Sequence, residues 1–172
     1  MADRAYPVIR PLETADAIAF RSLRLGAVRA NPECFCTSTA EAEGQDEGHY
    51  CRQIQQSKDS TDHALYGAFN GNQELLGVIG LERMAGSLRS HRARVWGLVI
   101  DLHCRRQGIA RQLCQHVIDA AKQMEVEKLS LELTGEAVAA LHLYRSLGFR
   151  IESVEPLALK LEGRYLDEIR MA

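Results

Sequence analysis

No run of eighteen apolar residues occurs in the chain, so no membrane-spanning helix is expected. No heptad pattern is sustained, which sets a coiled coil aside. Proline is scarce, with four in 172 residues, and no repeat or low-complexity linker interrupts the composition. Five cysteines are present, Cys34, Cys36, Cys51, Cys104 and Cys114, without a CxxC pair and without a suitably spaced pair of histidines. Their odd number and spacing suggest neither a disulfide framework nor a zinc pattern, and no metal is expected. Residues Met1 to Pro7 show no basic region followed by an apolar stretch, so no secretory signal is visible. Reduced thiols and no such signal predict a cytoplasmic protein with no membrane partner. A large excess of one charge is missing too. The 21 basic and 23 acidic side chains leave a net charge of −2, which argues against nucleic acid as the main partner.

What remains is an ordinary soluble composition, 46% apolar and 26% charged. A chain of this length can bury roughly 70% of its unfolded surface. One α/β domain over residues 6–172 is expected, after a short extension of residues 1–5. A first strand covers Tyr6 to Leu12, at an edge because of Pro7. Thr14 is placed to cap a helix whose stripe is Phe20, Leu23, Ala27 and Ala30, ended by Asn31-Pro32. A short helix follows around Tyr50 to Gln56. Ala64 to Phe69 and Leu75 to Leu81 form a hairpin around Asn70-Gly71-Asn72. Arg92 to Asp101 is the next strand, and its apolar run Val95 to Ile100 predicts burial on both faces.

The period then changes. Ile109, Ala110, Leu113, Cys114, Val117, Ile118 and Ala121 form one stripe of a helix over Gln107 to Met124. Lys128 to Thr134 is a strand with Leu129, Leu131 and Leu133 on one face and Ser130, Glu132 and Thr134 on the other. A helix over Glu136 to Leu147 ends at Gly148. Phe149 to Val154 and Leu157 to Met171 complete the chain, with a turn at Glu162-Gly163 and with Tyr165, Ile169 and Met171 on one face. The order is β-α-α-β-β-β-α-β-α-β-β, with a β-α-β crossover between Val95 and Val154.

The chemistry concentrates at Arg105-Arg106-Gln107-Gly108-Ile109-Ala110, between a strand and an amphipathic helix. A helix N-terminus offers unpaired N–H groups and the positive end of the dipole. Gly108 lets a ligand approach the backbone, and Arg105, Arg106 and Arg111 add positive charge. From Leu88 to Cys114 there are six arginines against one aspartate. A phosphate-binding turn or a solvated Arg-rich loop fits this spacing. Neither a Walker A sequence nor GxGxxG is present, so nucleotide hydrolysis and hydride transfer are not indicated. The opposite asymmetry lies in Glu33, Glu41, Glu43, Asp46 and Glu47, with no basic residue between Glu33 and Gly48. That stretch could focus a cationic acceptor or simply be a solvated face.

Arg105 to Ala110 matches R/Q-x-x-G-x-G/A, and Leu143-Tyr144-Arg145-Ser146-Leu147-Gly148-Phe149 matches a later LYxxxGF block, after Leu131-Glu132-Leu133. With these motifs in this order, the chain resembles the GNAT superfamily of N-acetyltransferases over essentially its whole length. The resemblance implies a single domain with a mixed, mostly antiparallel sheet of six or seven strands and about four helices. It implies acetyl-CoA as acyl donor and direct transfer of acetyl to a primary amine, on a small molecule or a peptide. The loop amides of Arg106, Gln107, Gly108, Ile109 and Ala110, with Arg105 and Arg111, are then the pyrophosphate site. The backbone of Leu98, Val99 and Ile100 holds the pantetheine arm and thioester carbonyl, where an N–H stabilises developing negative charge. Tyr144 becomes the acid that protonates the leaving thiolate, and Glu132 the base, with Glu82 and His91 as alternatives. Relatives often carry an Asn where this chain has Ala137, which leaves the cofactor contact there open. An acyl-cysteine route is not indicated, since no histidine-backed thiol is visible. In relatives the final hairpin shapes the acceptor site or a homodimer contact. A non-catalytic acyl-CoA-binding module, or an unrelated phosphate-binding α/β protein, are the alternative readings. The sheet is expected to splay between Val95–Asp101 and Lys128–Thr134.

Overall fold

The computed structural model describes residues 7–172; the extension of residues 1–5 and the strand position Tyr6 lie outside them. Seven strands form one sheet: β1 (Val8–Pro11), β2 (His63–Phe69), β3 (Leu75–Arg83), β4 (Arg92–Ile100), β5 (Lys128–Thr134), β6 (Ile151–Leu161) and β7 (Arg164–Met171). Their order is β1-β2-β3-β4-β5-β7-β6. The first four are antiparallel neighbours, so β1 with its proline sits at an edge and β4 in the middle. Among the described residues five α-helices flank them: α1 (Ala17–Ala30), α2 (Thr39–Gly44), α3 (Glu47–Asp59), α4 (Ile109–Gln123) and α5 (Val138–Ser146). None is long and apolar enough to cross a membrane.

Two cores lie on opposite faces of the sheet. Phe20, Leu23 and Ala27 of α1 and Tyr50 and Ile54 of α3 pack with Leu65, Val78 and Val99. Leu113, Cys114, Val117 and Ala121 of α4 and Tyr144 of α5 pack with Ile79, Leu81, Val95, Leu131 and Ile169. The α4 stripe is the one read from the sequence. β4 and β5 are parallel, and α4 supplies the long crossover that two neighbouring strands of one direction need.

Several local expectations are revised. Thr14 caps nothing; Asp16 accepts the Glu13 N–H at 2.8 Å and pairs with Arg10. Ala30 is exposed at the C-terminal end of α1. The extra helix α2 arises from a capping box, in which Ser38 accepts the Glu41 N–H while the Glu41 carboxylate accepts the Ser38 N–H. The chain from Ile151 to Leu161 is one strand with a register shift between Glu155 and Leu159, and Leu166 rather than Tyr165 turns inward near the hairpin.

Ser130 and Thr134 of β5 are buried rather than solvated. The Thr134 hydroxyl donates to the Glu33 carbonyl at 2.7 Å, which ties the end of β5 to the segment after α1. Replacing Thr134 by Val keeps the shape but orphans that carbonyl. We expect a loss of about 1–2 kcal/mol. Urea unfolding should show it as a lower midpoint at unchanged slope.

Candidate active site

The site begins where two strands part. β4 and β5 pair only through Arg92 with Lys128, Ala93 with Leu129 and Arg94 with Ser130. On its other side β4 stays paired with β3, but the register shifts between Val78 and Gly80. Gly97, with φ of +66°, takes up the extra residue. A bulge of this kind reverses the facing of everything beyond it. Ala93 and Val95 point to the α4 core, whereas Val99, which unbroken alternation would put beside them, points to the α1 core. The apolar run Val95 to Ile100 is therefore not uniformly buried. Trp96, Gly97 and Leu98 are only half-buried, because they border the gap.

Two cavities occupy that gap. One of about 690 Å³ runs from Leu98, Val99 and Ile100 to the turn Arg105–Arg111 and the start of α5. The other, of about 370 Å³, lies between Arg94–Leu98 of β4 and Leu131–Leu133 of β5, and includes Tyr144 and Glu168. They share Cys34, Phe35, Leu98, Ala137 and Ala140, so they form one bent cleft.

At the outer end, Arg106 has φ of +60° and Gly108 φ of +83°. These left-handed residues fold the chain into a turn just before α4, and Gly108 is the N-cap with no side-chain cap. The first N–H groups of α4 thus point into the turn with no intrahelical acceptor. Arg105 donates to Asn31 Oδ1 at 2.8 Å and Arg111 to Ser146 Oγ at 2.6 Å, which steadies both guanidiniums around the turn. A concave set of amides ringed by arginines suits a phosphate-sized anion. A Cβ at Gly108 would meet only Gln112, at 4.0 Å, so backbone conformation rather than crowding calls for glycine there. Ala137 is the N-cap of α5, also without a side-chain cap, and lines both cavities.

At the inner end, Tyr144 is 6% exposed and its ring meets Phe149 edge to face at 5.6 Å. Burial, aided by Cys114, raises its pKa far above the ordinary phenol value. The same surroundings push Cys114 up to about 12. Glu132 faces the second cavity, with Arg94 at 3.9 Å and Arg170 at 4.0 Å. Glu82 is paired with Arg94 at 2.8 Å, and neither it nor His91 borders either cavity.

The structure adds residues that sequence reasoning passed over. Arg24, Phe35, Cys36, Thr37 and Glu168 all border the second cavity. Cys36 donates to Glu168 Oε1 at 3.5 Å, and burial followed by the Glu168 charge pushes its thiol up to about 11. Arg24 carried a readable signal, since it lies four residues after Phe20 and three before Ala27, a charge on an apolar stripe. Glu168 carried none, because only pairing with β5 opposite Thr134 brings it to the cleft. Of the acidic stretch, Glu33 borders the larger cavity, while Glu41 and Asp46 cap helices and Glu43 pairs with Arg29.

Comparison with known proteins agrees with this geometry. Residues 27–149 match the Acetyltransferase (GNAT) family. The L-amino acid N-acetyltransferase AaaT of Escherichia coli is 24% identical over 166 residues, 96% of each chain. The ribosomal protein bS18-alanine N-acetyltransferase of E. coli is 39% identical over 57 residues, which span 33% of this chain but only 38% of that enzyme's length. Among solved structures, yncA of Salmonella typhimurium with its cofactor acetyl-CoA superposes with a TM-score of 0.83 at 16% identity, covering 97% of this chain and 92% of that one. With a family match over most of its length and the parted β4–β5 pair that houses the cleft, the chain belongs to the GNAT family of acetyltransferases.

Proposed function

We propose that this protein transfers an acetyl group from acetyl-CoA to a primary amine by direct attack within the bent cleft. One observation carries the reading: a single cleft joins an anion-shaped turn at one end to a buried phenol and a carboxylate at the other. The relatives named above act on an alanine of a ribosomal protein and on L-amino acids, both primary amines, in line with this reaction class. When bound, acetyl-CoA supplies the acetyl thioester.

The chain's own residues have distinct tasks. The amides of Arg106 to Ala110 cradle the pyrophosphate, with Arg105 and Arg111 as counter-charges. Leu98, Val99 and Ile100 lie beyond the last β4–β5 pair, so backbone N–H groups on that edge are available to the pantetheine arm and the thioester oxygen. A donor held there stabilises charge that grows as nitrogen attacks.

Two protons leave the ammonium. Glu132 takes one towards solvent, directly or through a water. The other balances the proton that Tyr144 gives to the departing sulfur. Desolvation favours a neutral phenol at Tyr144, and it acts equally on a thiolate formed in the same surroundings. Proton transfer between them is therefore less uphill than the phenol's raised pKa alone implies.

Tyr144→Phe should lower kcat by about 100-fold while leaving the calorimetric Kd for CoA nearly unchanged. An unchanged kcat would remove Tyr144 from the acid role. Because its pKa is raised, Tyr144 stays protonated, and kcat should show no basic limb from it below about pH 10. Glu132→Gln should lower kcat/KM most at neutral pH and recover partly at high pH, where more of the amine is already neutral. Equal loss at every pH would point instead to a positioning role.

A further inference from the structure

The second cavity carries a charge arrangement that acetyl transfer alone does not require. Arg24 projects from α1 into it and is half-buried. It donates a long hydrogen bond to Thr37 Oγ1 at 3.5 Å, and its guanidinium lies 5.1 Å from the centre of the Phe35 ring. Neither neutralises it. Among the described residues no carboxylate lies within ion-pair distance of Arg24. Arg94, the other arginine of this cavity, is already paired with Glu82 and close to Glu132. Loss of water around Arg24 lowers its pKa, so its charge is held at a cost.

The opposite sign stands close by. Glu132 on β5 and Glu168 on β7 border the same cavity. Cys36, which donates to Glu168, borders the same cavity as Glu132 and Arg24. A ligand complementary to this arrangement carries both signs. Its anion meets a planar guanidinium fork that holds carboxylates in two-point fashion. Its ammonium faces the two carboxylates, in the cavity that Tyr144 also borders.

Resting on the acetyl-transfer reading above, we infer that the acceptor is a free amino acid, whose carboxylate is bound by Arg24 and whose amine is presented to Glu132 and Glu168. Arg24 is then the residue that sets specificity. A polyamine would bring a second cation against it, and a peptide N-terminus would bring an amide where it requires a carboxylate. Both are disfavoured by the same unneutralised charge.

The test compares free L-amino acids with their carboxamides, alanine-terminated peptides and a polyamine, using wild type, Arg24→Gln and Arg24→Lys. CoA release is followed, and amino-acid binding to the CoA-loaded protein is measured by calorimetry. Wild type should prefer a free amino acid over its amide by about 30-fold in kcat/KM. Arg24→Gln should erase that preference, mainly by raising KM for the acid form and sparing the amide, and Arg24→Lys should restore part of it. Unaltered CoA affinity and circular dichroism would show that the variants are folded. Preference of wild type for amides or peptides overturns the inference, as does an equal loss on acid and amide in Arg24→Gln, while acetyl transfer itself stands. If no amine is turned over although CoA binds, the reaction reading fails. Calorimetry then decides the Arg24 carboxylate site alone: amino-acid binding lost in Arg24→Gln upholds that contact, and no binding to wild type, or equal binding to Arg24→Gln, overturns it.

Discussion

A parallel strand pair that stops after three residues governs the rest of this structure. Backbone groups on a strand edge must find partners, and beyond Arg94 and Ser130 β4 and β5 no longer provide them for each other. The edge of β4 then faces a cleft rather than a neighbour. The bulge at Gly97 compounds this by reversing which side chains face which core. Together they put Leu98 where both cavities meet. The turn before α4 lies just beyond the end of β4, so the anion-shaped end and the parted strands are joined by a short stretch of chain.

The two ends of the cleft differ in how they are made. The turn from Arg105 to Ala110 is local: Gly108 relieves a left-handed backbone, and the helix it opens aligns its own amides. Its physics follows from consecutive residues, which is why a motif could reveal it. The inner end is assembled from α1, β4, β5, α5 and β7. Tyr144 and Glu132 were legible there through a resemblance covering their neighbours. Glu168 was not, since its place depends on β7 lying beside β5 although helix α5 and strand β6 come between them in sequence.

Charge was legible only as an average. The acidic stretch after α1 suggested an electrostatic entrance, yet Glu41, Glu43 and Asp46 are taken up by caps and an arginine. The carboxylates that border the inner cavity come from two strands of the sheet instead. Likewise, β5 reads as a strand with one polar face. Its Ser130 and Thr134 are nevertheless buried, Ser130 against β4 through the Ala93 carbonyl and Thr134 under the chain after α1.

Periodicity, turn residues and two short motifs by themselves determined most of the element order, the sheet class and the turn that opens α4, while α2 and the unbroken β6 went unread. Each legible feature depends on interactions within a few residues, and such interactions leave their spacing in the chain. Only the tertiary structure decided where β4 and β5 part, which face Val99 takes, and which charges converge on the inner cavity. Those depend on register and on packing between distant segments, where a one-residue bulge or a strand pairing across the sheet moves a side chain from one core to the other.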